Sequence, residues 1–239
     1  MAIAVDQANL GTKAGDTATT VTVVTTQPIA VGGFIVAAGG WFVGTDKTPA
    51  VSGGGLSWTM DKSGLWVPLS ISAFIATAQV PAGLSAGASI VMTLSGGVDP
   101  ASALTMGLMS FTGVKTSSPV DGTPLGPTGV STAGWSSGNY SISAGSVLVG
   151  VDWNGGAIAS HTPTAPALEA WEVVNGVDFY GATGAYRIEA SAGSYAVAGT
   201  WNAAHDNVNV AVAYLAAAGG VPDTQTRRHQ IRRSRMTSW

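Results

Sequence analysis

Residues 207–217 read NVNVAVAYLAA, and larger apolar side chains alternate here with small or polar ones. A period of two puts every second side chain on one face, as in a β-strand. No window has the apolar spacing of an amphipathic helix. The sequence therefore predicts an all-β fold, an antiparallel sandwich or barrel. The period recurs in stretches rich in Val, Ile, Thr and aromatic residues, which are 19–26, 33–43, 56–61, 71–80, 88–94, 104–114, 146–153, 168–174, 184–190 and 194–201.

The two halves of the sequence resemble each other. Each contains a strand that ends in Trp, a second Trp-bearing strand, an aromatic strand and a long closing strand. Trp41 and Trp153 stand 112 positions apart, and Trp58 and Trp171 stand 113 apart. A five-stranded sheet with one apolar face needs a partner sheet. We predict that two such sheets face each other in one sandwich, with two separate small sandwiches as the alternative.

The predicted organisation is one β-sandwich domain followed by an arm. The sandwich spans 1–220, with similar halves at about 19–115 and 140–218, and the arm spans 221–239. Prolines, glycines and hydroxyl residues are frequent in 116–140. Such a composition predicts a long surface crossover between the halves.

The composition excludes several classes of protein. Only 10% of the residues are charged, which favours a protein that packs against other subunits. There is no cysteine, so neither disulfides nor thiolate metal sites are expected. No apolar stretch is long enough to cross a bilayer as a helix, and no secretion signal is expected. Residues 1–12 fit either a strand or a second arm.

Charge is divided unevenly along the chain. Residues 1–226 hold five cations and all 13 acidic residues, a net charge of 5 − 13 = −8, whereas 227–239 hold five arginines and no acid. A basic segment of this kind is typical of an interaction tail. Arginine pairs with carboxylates through two hydrogen bonds, and an aromatic residue can anchor such a contact. The predicted docking residues are Arg227, Arg228, Ile231, Arg232, Arg233, Arg235 and Trp239.

Two other partners for the arm are less favoured. Five arginines could neutralise nucleic-acid phosphates, but the charge of −8 on the preceding residues opposes the approach of DNA. The arm has no broad apolar face for a membrane surface. We therefore predict protein partners, with neither nucleic acid nor a membrane among them.

The sequence contains no motif that predicts catalysis. GWSSG at 134–138 fits G-x-S-x-G with Ser136 as nucleophile, but that motif needs a strand-to-helix turn that is not predicted here. His161, His205 and His229 lack metal-ligand spacing, so we predict solvent-facing histidines, no metal site and no cofactor. The protein is therefore predicted to be non-enzymatic.

The carboxylates give no convergent pair. Glu169 and Glu172 are the only close glutamates, and a separation of three predicts opposite faces of a strand. Asp121 and Asp152 lie near predicted turns, where Asp commonly caps the turn.

Two tryptophans lie in predicted turns. Trp66 and Trp135 are expected to be exposed, and exposed aromatic rings can stack on sugars or contact a neighbouring subunit. They are the candidate glycan-binding residues.

Four stretches resemble jelly-roll proteins of tailed bacteriophages. They are VPAGLSAGASIVMTLSGG (80–97), AGSVLVGVDW (144–153), GAYRIEASAGSYAVAGTW (184–201) and VNVAVAYLAA (208–217). The resemblance covers about 20–218 and excludes the basic arm. Proteins of this kind are minor tail or head-decoration proteins.

The resemblance implies a non-enzymatic structural subunit of a virion. The subunit is expected to be assembled in the host cytoplasm, to form homo-oligomers and to contact capsid or tail proteins. The alternative is a glycan-binding adhesin that recognises the host surface. The sequence leaves capsid or tail location, symmetry and the docking partner open.

Overall fold

The computed structural model describes residues 2–15, 19–42, 47–96, 102–156, 160–175 and 180–218. These residues form an all-β fold of antiparallel sheets, as predicted, with one short 3-10 turn at Val67–Leu69. No helix in this part of the chain is long and apolar enough to cross a membrane. The strands are β1 (Ala4–Gly15), β2 (Thr20–Val24), β3 (Gly33–Phe42), β4 (Thr48–Gly53), β5 (Trp58–Trp66), β6 (Ile71–Val80), β7 (Ser89–Ser95), β8 (Ser102–Thr112), β9 (Leu125–Ser136), β10 (Tyr140–Ile142), β11 (Val147–Asn154), β12 (His161–Pro163), β13 (Leu168–Asn175), β14 (Tyr180–Ile188), β15 (Gly193–Tyr195) and β16 (Ala198–Tyr214).

The strand order repeats between the two halves. The first large sheet has the order β1-β8-β3-β6-β5, and the second has the order β9-β16-β11-β14-β13. The small sheet β2-β7-β4 accompanies the first, and the small sheet β10-β15 accompanies the second, where β12 also pairs with the start of β16. The large sheets begin with β1 and β9, so they extend beyond the predicted halves 19–115 and 140–218.

The two large sheets face each other across a shared core. Phe34, Val36 and Ile75 of the first sheet and Val151 and Trp153 of the second belong to this cluster. The other face of the first sheet packs on β2-β7-β4 through a second cluster that includes Ile35, Phe74 and Ile90. Because alternate residues of β3 enter different clusters, this strand is buried on both faces. Each half thus forms its own sandwich, and the two are joined back to back.

The tryptophans that the spacing of the two halves aligns do not point to equivalent faces of their sheets. Trp41 points into the cluster against the small sheet, whereas Trp153 points into the shared core. In the same way, Trp58 packs against the cluster beside the small sheet, whereas Trp171 belongs to the shared core. A shift of one residue turns a strand's side chains to the opposite face. The order of the strands repeats, but these two tryptophan pairs do not occupy equivalent positions.

Five strands lie outside the predicted stretches: β1, β4, β9, β10 and β12. The most consequential is β9, because its residues were predicted to be a surface crossover. It pairs with β16 along most of its length and forms the edge of the second large sheet. Pro127 has no N–H to donate, and an edge strand tolerates this. Residues 4–12 are a strand, which decides between the two alternatives for this end.

The basic arm, residues 221–239, lies outside the described residues, so its predicted contacts are not visible. The residues that precede the arm in the sequence are hydrogen-bonded to the segment 113–119. Leu215 N–H donates to the Pro119 carbonyl at 2.8 Å, and Ala217 N–H donates to the Gly113 carbonyl at 2.8 Å. The chain therefore approaches the arm beside the segment 113–119.

Candidate functional site

Asp61 lies at an irregularity in β5. The pairing of β5 with β6 shifts register between Met60 and Lys62, so Asp61 is the extra residue of a β-bulge. Bulges redirect a side chain and are frequent beside functional sites. The Asp61 carboxylate accepts hydrogen bonds from Thr77 Oγ1 at 2.6 Å and from Tyr214 OH at 2.9 Å. Tyr214 belongs to the second large sheet, so the carboxylate joins the two halves.

Asp61 lines a cavity of about 420 Å³, which we call the Asp61 pocket. Its walls are formed by β3, the segment between β4 and β5, the strands β5 and β6, and the segments that follow β6 and β8. They are Phe34, Gly55, Leu56, Ser57, Thr59, Asp61, Thr77, Ala78, Gln79, Pro81, Thr116, Ser118 and Pro119. No lysine or arginine is among them. A concave site with apolar walls and a few convergent polar groups is typical of a binding site.

The Asp61 carboxylate is held in one orientation, with one oxygen available to a ligand. Both of its hydrogen bonds fall on Oδ2, and within the described residues Oδ1 has none. Burial raises the pKa of Asp61, and the hydrogen bonds from Thr77 and Tyr214 oppose this shift. Among the described residues, no positive charge contributes to the pKa of this carboxyl. The site therefore presents a partly desolvated acceptor without a cationic partner.

A second polar cluster surrounds His161 on the outer face of the second large sheet. Trp135 Nε1 donates to His161 Nε2 at 2.9 Å, and His161 Nδ1 lies 2.7 Å from Glu169 Oε2. Thr183 Oγ1 lies 3.2 Å from His161 Nδ1. The imidazole is buried, and its centroid lies 4.9 Å from that of Trp201. The prediction that His161 faces solvent is wrong, because its loop contains β12, which packs the ring between two indoles.

The hydrogen bonds fix the tautomer of His161. An indole N–H can only donate, so Nε2 must be the unprotonated nitrogen, and Nδ1–H donates to Glu169. Burial lowers the pKa of His161, while the hydrogen bond and charge of Glu169 oppose the shift. Both ring nitrogens are occupied, so this imidazole holds four strands together and does not present a free base to a substrate.

Glu169 and Glu172 lie closer than predicted. The pairing of β13 with β14 shifts register between Glu169 and Trp171, and the extra residue reverses the alternation of faces. Burial raises the pKa of Glu172, the charge of Glu169 raises it further, and a hydrogen bond from the His161 backbone lowers it. The charge of Glu169 therefore acts on the Glu172 carboxyl, beside His161. A bulge cannot be read from the spacing of two glutamates.

Asp152 is fully buried in β11, not in a turn as predicted. Trp201 Nε1 donates to its Oδ2 at 2.7 Å, and burial raises the pKa of Asp152 well above its usual range, with Trp201 opposing. Asp152 Oδ1 and Asn209 Oδ1 have no partner within the described residues. The two residues are directly opposite in the pairing of β11 with β16. A proton on Asp152 would supply the missing donor between these acceptors.

We expect Asp152→Asn to stabilise the protein at neutral pH by about 1–3 kcal/mol, the usual cost of a buried unsatisfied group. The amide oxygen accepts from Trp201, and the amide N–H donates towards Asn209. The folded-state pKa of Asp152 lies above the unfolded value, so its contribution is present below the unfolded pKa and is lost as pH rises. Urea unfolding between pH 4 and 8 should show the advantage of the variant growing with pH. An advantage that shrinks as pH rises would contradict this assignment.

The predicted exposure of Trp66 and Trp135 is not found. Trp135 is buried at the end of β9, where its ring packs beside His161, so no ring face is open to a sugar. Trp66 is partly buried, and its ring lies against the backbone of Gly129 in β9. Both tryptophans lie in strands and not in turns, because Trp66 ends β5, where it pairs with Ile71 of β6, and Trp135 pairs within β9.

The remaining predicted residues do not form a reactive group. Ser136 Oγ accepts from the Gly138 N–H at 3.2 Å, and within the described residues no hydrogen bond joins it to a histidine. His205 lies half-buried in β16, and His229 lies outside the described residues, as do Arg227, Arg228, Ile231, Arg232, Arg233, Arg235 and Trp239. No group of three or more His, Asp or Glu side chains in the described residues is arranged to hold a metal ion. Asp121 caps a turn by accepting from Ser143 N–H at 2.6 Å.

The chain was compared with known proteins. No protein-family model, no curated protein and no solved structure matches it.

Proposed function

We propose that this protein is a non-enzymatic structural subunit of a tailed-phage particle, of the minor tail or capsid-decoration type. The observation that carries the proposal is the charge division. Residues 1–226 have a net charge of −8, and residues 227–239 bring five arginines and no acid. Opposite charges at complementary surfaces favour association and fix its register. The arm of one subunit docks on an acidic site of a neighbour and holds the particle together.

The fold supports this proposal at a coarser level. We interpret β1-β8-β3-β6 facing β2-β7-β4 as a jelly roll, in which two Greek keys form two packed sheets. Such sandwiches occur in viral capsid proteins. A fold hosts many functions, so the proposed role is supported mainly by the charge division and only weakly by the strand order. Both ring nitrogens of His161 are hydrogen-bonded to protein groups, which agrees with a structural function for its cluster.

The test of this function is particle composition. Particles purified from the lysed host should contain the chain in multiple copies. Replacing the five arginines of 227–235 with glutamine should lower incorporation about tenfold or more, since a charge-assisted hydrogen bond contributes about 1.5–3 kcal/mol. The matched control replaces the same arginines with lysine and should retain part of the incorporation. Unchanged incorporation of the glutamine variant would overturn the proposal.

A glycan-binding adhesin is the second candidate, and a cavity of about 450 Å³ beside Trp135 favours it. The residues that line the cavity include several with neutral polar side chains, among them Thr128, Thr132, Ser136 and Thr164. Hydroxyl and amide groups can exchange hydrogen bonds with a neutral sugar. Glycan-array binding that persists in the glutamine variant, together with no effect on incorporation, would favour the adhesin.

A further inference from the structure

The Asp61 pocket has the chemistry of a guanidinium site. Within the described residues no hydrogen bond reaches Asp61 Oδ1, and Ser57 and Thr59, which carry hydroxyls that can accept, are among the residues that line the pocket. A guanidinium group carries five N–H donors and no acceptor, so it matches such a lining. The walls also include Leu56 and Pro81, which can pack along the methylene groups of an arginine side chain.

Among the described residues, the carboxylate in the pocket has no counter-charge. In the described part of the chain the ion pairs are His161–Glu169 and Arg187–Glu189, and neither includes Asp61. The hydroxyls of Thr77 and Tyr214 instead hold its Oδ2. A partly buried carboxylate costs free energy unless it is paired or hydrogen-bonded. A cation that binds in the pocket would form an ion pair with the Asp61 carboxylate, which is already oriented.

The last described residues before the arm pass beside the wall of this pocket. The segment that contributes Thr116 and Pro119 to the pocket wall is hydrogen-bonded to the chain that leads to the arm, through Leu215 N–H and the Pro119 carbonyl. Eight residues lie between Ala218 and Arg227, and an extended chain over these nine steps reaches about 30 Å. An arm that starts here can reach the equivalent pocket of a copy packed alongside.

We propose that the Asp61 pocket binds an arginine side chain from segment 227–235 of a second copy of this chain, an inference that rests on the proposed docking function. Each copy carries both a pocket and an arm, so two copies can exchange arms reciprocally around a two-fold axis. The contact joins the available Oδ1 of a fixed carboxylate to a planar donor through a charge-assisted hydrogen bond. The other N–H groups of the guanidinium remain free to donate to further acceptors of the pocket wall. The exchange also brings the positive charge of one copy to the acidic body of the other.

Self-association of the full chain tests the pairing. We expect sedimentation velocity to show concentration-dependent association of the wild type that weakens with added salt. Asp61→Asn should weaken it about tenfold or more. The amide oxygen can still accept from Thr77 and Tyr214, so the fold is retained. The matched control is Asp6→Asn, which makes the same charge change on β1, at the opposite edge of the first large sheet.

A mixing experiment distinguishes exchange between copies from docking within one copy. The Asp61→Asn chain has a charged arm but no carboxylate, and the chain with five Arg→Gln changes has the carboxylate but no charged arm. Each alone should associate weakly, and the mixture should form one-to-one complexes. A mixture that stays monomeric would overturn the exchange, because docking within one chain cannot be restored by mixing.

The two proposals fail in different ways. Wild-type association in Asp61→Asn, combined with its loss in the five Arg→Gln chain, would overturn the pocket assignment and leave the arm as the docking element. Wild-type association in both variants would overturn the pocket assignment and the docking function together. A monomeric wild type would also overturn the exchange between copies.

Discussion

Gly107→Ala is expected to destabilise the protein by about 3–5 kcal/mol, as much as removing a buried tryptophan side chain. A Cβ at Gly107 would overlap the indole ring of Trp171. That ring is fully buried in the shared core and lies equally close to Gly184 on the other side. The indole packs directly on the backbone of both glycines, so it has no room to move. A methyl group added at Gly107 must therefore displace it.

The position of this contact makes the effect extend to both halves. Gly107 belongs to β8 of the first large sheet, and Trp171 belongs to β13 of the second. Displacing the ring therefore opens the shared core that both sheets need. Urea unfolding should show a lower midpoint for the whole molecule, in one cooperative transition.

Gly134→Ala is the matched control for this experiment. Gly134 also lies in a strand, has no strained backbone angle, and nothing would lie within 4 Å of its added Cβ. The control should change stability by at most about 1 kcal/mol, with stabilisation expected, since alanine restricts the unfolded chain. Equal unfolding midpoints for Gly107→Ala and Gly134→Ala would show that the packing of Trp171 does not require a glycine at position 107.

The period of two in the sequence was sufficient to predict the fold class. In a stretch such as NVNVAVAYLAA, alternation and β-branched residues require a strand whatever the strand pairs with. The pattern was insufficient to assign faces, because the large sheets are buried on both sides. Trp41 and Trp153 were aligned by spacing alone, and only the opposing layers determine which cluster each enters.

The candidate sites depend on features that the sequence does not display. Asp61 and Glu169 are positioned by β-bulges, and a bulge depends on pairing with a distant strand. His161 is buried because Trp135 reaches it from β9, in a segment whose glycines and prolines indicate a loop. The charge division could be read directly, since it needs no knowledge of contacts.

His161→Ala is expected to destabilise the protein by about 2–4 kcal/mol at pH 7. The change leaves a cavity between Trp135 and Trp201 and deprives the Trp135 N–H of its acceptor. The control is His205→Ala, which removes a half-buried imidazole and should cost less. Urea unfolding of the three proteins gives these differences.

The pH dependence of the same variant tests the neutral tautomer. Burial lowers the pKa of His161 in the folded state, so its contribution is fully present above the unfolded pKa of about 6.5. Below that value the unfolded chain binds more protons, and the contribution is lost as pH falls towards the folded pKa. The stability difference between wild type and His161→Ala should therefore shrink from pH 7 to pH 5.

The variant Trp135→Phe separates the hydrogen bond from the packing. Phenylalanine keeps an aromatic ring beside His161 but removes the N–H that Nε2 accepts. Trp135→Phe should raise the pKa of His161, because protonated Nε2 no longer faces a donor, and NMR titration of the imidazole measures that shift. If the pKa were unchanged or lower, the indole N–H would not be what keeps His161 neutral, and the assigned tautomer would be wrong.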